Sequence, residues 1–122
     1  MILYHGTPET IKQLDTGCVL DFCLTDNRTA AASYGENVHE FQLNWDAKIA
    51  SEHDVREFFE ADGWYEGMPT YEILDHSAAR AALAAAGFDG AEFNDSYECG
   101  QMTTTRVFRA EMLTLIEITT EN

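Results

Sequence analysis

Extended runs outnumber helical ones in this chain, and they do not alternate with them one for one. Ile2–Tyr4, Val19–Thr25, Val38–Leu43, Ala91–Phe93, Thr103–Phe108 and Met112–Ile118 read as strands. They are rich in the β-branched and aromatic residues that suit a pleated, half-buried surface. In the third run His39, Phe41 and Leu43 alternate with Glu40 and Gln42, the period of a strand with one buried face. Asp21 interrupts the second run, which shortens it. Helical readings fall at three places only. Thr25 or Asp26 caps a segment through Ala30–Ala32 that Gly35 closes, Asp54–Glu60 carries a stripe of Val55, Phe58 and Phe59, and Ser77 opens an alanine-rich helix that Gly87 ends. A doubly wound parallel sheet needs a helix between successive strands. This pattern instead predicts an α+β fold.

The remaining stretches read as connections. Pro8–Thr16 is a loop or one short helical turn. Gly63–Pro69 is a glycine-flanked aromatic loop, open to a role as partner loop or core cover, and Asn94–Gly100 is a polar loop. With 122 residues and 45% hydrophobic side chains the chain suits one domain, 1–122, with a real core. It carries 22 acids against 7 Lys and Arg, a formal charge of -15. Such a field repels phosphate backbones and disfavours direct nucleic-acid binding. It attracts basic protein surfaces, though acidity also serves plain solubility. No apolar run reaches the ~20 residues of a membrane span, and no signal-like start is visible. Cys18, Cys23 and Cys99 form no Cys-x-x-Cys. That favours a reducing cytoplasm over a disulfide frame. The four histidines show no metal-ligand spacing, so no metal site is expected.

The chemistry concentrates at the start, in Leu3-Tyr4-His5-Gly6-Thr7-Pro8. A short strand runs into a bend that carries a histidine, a glycine and a threonine. His5 has two distinct ring nitrogens for hydrogen bonding. Gly6, lacking Cβ, lets backbone approach a ligand closely. The same residues also read as an edge strand and an ordinary turn. Downstream, the start of the first helix is a place for an anion, with Arg28 beside it, and a solvated arginine reads equally well there.

Taken in order, Tyr4-His5-Gly6-Thr7, then Phe22-Cys23-Leu24-Thr25-Asp26 with Ala30-Ala31-Ala32-Ser33-Tyr34, then Ala86-Gly87-Phe88-Asp89-Gly90-Ala91 and Val107-Phe108 resemble the ADP-ribosyltransferase family. Length, acidity and the opening motif are most similar to the small phage anti-CRISPR ADP-ribosyltransferases that act on type I-F CRISPR complexes. Residues ~48–75 match nothing in that pattern. The resemblance implies an ADP-ribosyltransferase-like fold of small split β-sheets with a few helices. It also implies NAD as ADP-ribose donor. His5 would bond a ribose hydroxyl, the Gly6 backbone would hold the nicotinamide amide, Thr7 and Thr25 would stand beside the cofactor, and Tyr34 would stack on the nicotinamide ring. The family places its catalytic glutamate on the strand ahead of Val107-Phe108, but Gln101–Arg106 contains no acid. The nearest acids are Glu92, Asp95 and Glu98, and the resemblance implies Asp95 as the catalytic carboxylate, because the corresponding loop of the anti-CRISPR relatives carries an aspartate, with Glu98 and then Glu92 behind it. The implied partner is a basic protein in the bacterial host cytoplasm, such as a CRISPR surveillance complex, with no membrane and no direct nucleic acid. Two alternatives stand beside this reading. One is a non-catalytic acidic inhibitor docking on a basic nucleic-acid-binding surface. The other is a toxin-type ADP-ribosyltransferase.

Overall fold

The computed structural model describes residues 1–11, 13–14, 19–20, 22–97 and 100–120. Its strands are β1 (Ile2–Thr7), β2 (Phe22–Thr25), β3 (Asn37–Leu43), β4 (Ile49–Ala50), β5 (Gly90–Tyr97), β6 (Gly100–Val107) and β7 (Leu113–Thr120). They form one sheet in the order β4-β5-β6-β2-β1-β3-β7. All neighbours are antiparallel except β4 and β5. The helices are α1 (Arg28–Tyr34), α2 (Glu52–Phe58), α3 (Thr70–Asp75) and α4 (Ser77–Ala85). The α+β class holds.

In place of the expected small split β-sheets there is one seven-stranded sheet with a weak seam. β1 and β3 pair continuously from Ile2↔Gln42 to Thr7↔Asn37, but β1 and β2 meet only at Tyr4↔Thr25. Beyond that pair the Cys23 carbonyl accepts a hydrogen bond from the His5 ring, at 2.7 Å from Nδ1. A continued ladder would have given that carbonyl to a backbone amide.

Local boundaries move for identifiable reasons. β1 runs to Thr7, past the expected end at Tyr4, because it pairs with β3 along its length. β2 starts at Phe22 and not at Val19. Asn27, not Thr25 or Asp26, caps α1, its Oδ1 accepting the Ala30 amide at 3.0 Å. Asp26 Oδ1 accepts the Thr103 amide instead, at 3.0 Å. α2 begins earlier than Asp54 because Ser51 and Asp54 form a reciprocal capping box. The Ser51 amide holds the Asp54 carboxyl below its ordinary value. Ser77 is the first residue of α4, and no side chain caps that helix. α3 and β4 were not foreseen. The polar stretch from Asn94 is also no loop: Asn94–Tyr97 extends β5, paired with β6 through Tyr97↔Gly100.

Strand alternation sorts side chains onto two faces. On one face Ala91 and Phe93 join Phe108 in a core with Val55, Leu74 and Leu83 from α2, α3 and α4. On the other, Leu3, Phe22, Phe41 and Val107 form a second core covered by Ile11, Leu14 and Leu20. α1 lies on the first face too, over β1 and β3, with Ala30, Ala31 and Val38 fully buried. The helices therefore sit in two groups on one side of the sheet, with a gap between them.

Candidate functional site

That gap is a cleft of about 530 Å³, within the ~300–1,000 Å³ usual for small-molecule sites. Its floor is the sheet: Tyr4 from β1, Thr25 from β2, Met102 and Thr104 from β6, Phe93 from β5. Tyr34, at the end of α1, stands on one side. Tyr71 and Asp75, on α3, stand on the other. Tyr34 and Tyr71 expose 61% and 53% of their surface, so two phenol rings present open faces at the mouth.

His5, Gly6, Thr25, Tyr34 and Asp95, from widely separated parts of the chain, all border this one cleft. His5 is set in the β1–β2 seam, its ring 4.4 Å from that of Phe22. Strand parity gives it the side of Leu3, opposite Tyr4. Its Nδ1–H is held by the Cys23 carbonyl, which leaves Nε2 as the acceptor nitrogen of the neutral ring. Burial lowers its pKa, opposed by the Cys23 carbonyl and assisted by nearby His39, so the neutral ring is the working form at pH 7. His39 is fully buried, accepting the Ile11 amide at Nε2 (2.7 Å) and donating from Nδ1 to the His5 carbonyl (3.3 Å).

Gly6 has a different reason from the one its sequence suggests. A Cβ at Gly6 would lie 1.6 Å from the Ala31 carbonyl oxygen. The space a side chain would need is filled by α1 and not reserved for a ligand. Thr7 does not line the cleft: its hydroxyl accepts the Glu9 amide at 3.3 Å and closes the turn. The Thr25 hydroxyl borders the cleft but is engaged, accepting the Asn27 amide (3.1 Å) and donating to Met102 Sδ (3.3 Å). Arg28 pairs with Glu40 at 3.7 Å and lies 5.7 Å over the Tyr4 ring, away from the role of an anion ligand.

Register separates the three candidate acids. Asp95 pairs with Met102 and shares its face. It is half-buried at the cleft edge, with Oδ1 accepting the Ser96 amide at 2.8 Å. Glu92 lies an odd number of residues away, opposite Thr105, and faces a separate depression beside Met1 and Trp45. Glu98 lies outside the described residues. Asp75 is a further cleft acid that sequence reasoning missed. It is paired with Arg106, whose Nη1 also donates to the Leu74 carbonyl at 3.2 Å. Tyr4, Tyr71, Phe93 and Thr104 were also missed as site residues. Only their shared parity on paired strands and an unforeseen helix bring them together.

The expected aromatic loop divides its roles. Tyr65 and Met68 pack on the first core, whereas Trp64 is 71% exposed. Among the described residues no group of His, Cys, Asp and Glu is arranged to hold a metal ion, and no helix is long and apolar enough to cross a membrane. An NAD-sized ligand fits the residues present. The cleft has the volume, open aromatic faces, a carboxylate, and one buried hydroxyl, Thr104 Oγ1, without a hydrogen-bond partner among the described residues.

No protein-family model matches the chain, and no curated protein matches it. Among solved structures, the fold is similar to that of an anti-CRISPR protein known from its crystal structure. The TM-score is 0.58 over 97% of this chain and 94% of that one, at 19% sequence identity. At that identity the likeness is one of fold alone.

Proposed function

We propose that the protein is an NAD-dependent mono-ADP-ribosyltransferase that modifies a protein partner and serves as a phage anti-CRISPR. The observation that supports this most is convergence. Positions that the resemblance implies at 5, 6, 25, 34 and 95 border one cleft, in a fold similar to that of an anti-CRISPR protein. The partner is a basic protein of a CRISPR surveillance complex in the host cytoplasm, reached with the help of the -15 charge.

Bound NAD supplies an activated ribose with nicotinamide as its leaving group. The neutral His5 ring, its tautomer and orientation fixed by the Cys23 carbonyl, would accept a hydrogen bond from a ribose hydroxyl at Nε2 through the β1–β2 seam. Tyr34 offers a stacking face for a flat ring. The Asp95 carboxylate would stabilise positive charge developing on the ribose, a contribution of ~3–4 kcal/mol for one well-placed group. It also orients the acceptor side chain, so that proximity adds to electrostatics.

Transfer of labelled ADP-ribose from NAD to a purified surveillance complex tests the reading. Wild-type protein labels a subunit, Asp95→Asn does not while still binding NAD, and His5→Ala binds NAD more weakly. Wild-type labelling rates in Asp95→Asn would overturn the assignment of the acid. One observation favours a second reading, a non-catalytic acidic inhibitor: residues 101–106 of β6 carry no carboxylate. That reading expects partner binding that collapses with salt and is indifferent to both NAD and Asp95→Asn.

A further inference from the structure

Thr104 is the odd residue on the cleft floor. It is 7% exposed, and its Oγ1 is buried without a hydrogen-bond partner among the described residues. Its register neighbours are Thr25 on β2 and Phe93 on β5. Thr25 does not serve it: that hydroxyl accepts the Asn27 amide and donates to Met102 Sδ. Buried hydroxyls are almost always paired, and one that is not points to a group missing from the site. Thr104 lines the cleft, but its Oγ1 is itself sealed, so a bound ligand reaches the hydroxyl once the side chain turns about χ1.

The surroundings restrict that ligand. Phe93 and Met102 are 5% and 6% exposed beside Thr104, and the Tyr71 ring lies 6.4 Å from that of Phe93. A charged group brought against this apolar floor would lose its hydration, and the nearby Arg106 is already engaged by Asp75 and the Leu74 carbonyl. A flat ring with a neutral donor or acceptor at its edge loses little and gains contact with the aromatic walls. We infer that Thr104 Oγ1 hydrogen-bonds the polar edge of a heteroaromatic ring and is a specificity-determining residue of the cleft. This rests on the NAD reading, in which the ring is nicotinamide or adenine.

Thr104→Val keeps the shape and removes the hydroxyl, and Thr104→Ser keeps the hydroxyl. Calorimetry with NAD, nicotinamide mononucleotide and AMP is run on wild type and both variants, beside melting curves without ligand. Thr104→Val is expected to melt no lower than wild type, because it removes an unpaired buried hydroxyl. It is expected to bind NAD roughly tenfold more weakly, with Thr104→Ser close to wild type. Loss confined to nicotinamide mononucleotide places that ring on Thr104, and loss confined to AMP places adenine there. Equal NAD affinity in wild type and Thr104→Val overturns this inference alone. So does a lowered melting temperature in Thr104→Val with NAD affinity that Thr104→Ser fails to restore. Wild type binding none of the three ligands overturns both this inference and the transferase reading.

Discussion

The two sides of the cleft are held by different physics. On the α1 side, backbone rests on backbone. Gly6 leaves no room for a Cβ under the Ala31 carbonyl, and a Cβ at Gly35 would lie 2.2 Å from the Thr7 carbonyl carbon. On the α3 side, long polar side chains reach across. Arg80 Nη1 donates to the Leu74 and Asp75 carbonyls at 2.8 and 3.0 Å. Arg106 joins Leu74 and Asp75 from the sheet floor. Glu52 accepts the Asn94 amide at 2.6 Å and the Thr70 hydroxyl at 3.4 Å. A steric fit fails abruptly when atoms are added, whereas a set of hydrogen-bonded clasps weakens by steps. The α1 side, which carries Tyr34, is held by steric fit, and the α3 side by hydrogen bonds and an ion pair.

Four experiments break or sharpen that contrast. Gly6→Ala has the largest expected effect, a loss of about 3 kcal/mol or more in urea unfolding, because α1 must lift from β1. Gly63→Ala, where a Cβ meets nothing within 4 Å, stays within about 0.5 kcal/mol. Near-equal effects would remove the steric account of the α1 side. Arg106→Met comes next, costing about 2 kcal/mol as charged hydrogen bonds to Leu74 and Asp75 are lost. A cost below that of an exposed ion pair, about 1 kcal/mol, would mean that Arg106 does not hold α3. Ser51→Ala removes the cap of α2 and costs about 1 kcal/mol. Its effect on cleft binding is nil if α2 supports α3 only through Glu52.

The smallest effect concerns pH. The folded protein holds the His5 pKa below that of the unfolded chain. Its contribution to stability is complete above pH ~6.5 and is lost as pH falls towards the folded pKa, where only the unfolded chain takes the proton. His5→Asn keeps a donor for the Cys23 carbonyl and should flatten that part of the acid limb of the stability curve. An unchanged limb would assign the drop to the carboxylates.

The legible parts of the fold were those governed by local rules. β3 follows from the alternation at His39, Phe41 and Leu43. α1 and α4 follow from alanine runs closed by glycines, although the expected caps at Thr25, Asp26 and Ser77 do not form, and the α+β class follows from the order of runs. β4, two residues long, carries no local signal and exists because Ile49 and Ala50 lie beside Gly90 and Ala91. α3 is short, and its burial of Ile73 and Leu74 depends on a core assembled from distant segments.

The site divides the same way. The opening motif, Tyr34 and the acids were visible as residue types, and their order carried the resemblance. Which acid faces the cleft was not visible, because one step along β5 reverses the face and only pairing with β6 sets it. The reason for Gly6 was equally hidden, since the atom that excludes its side chain is 25 residues away in sequence, in Ala31. The sequence by itself determined the strand-rich class, the charge and the candidate chemistry. Tertiary structure alone decided which side chains share the cleft, because register and packing are agreements between segments that no single segment contains.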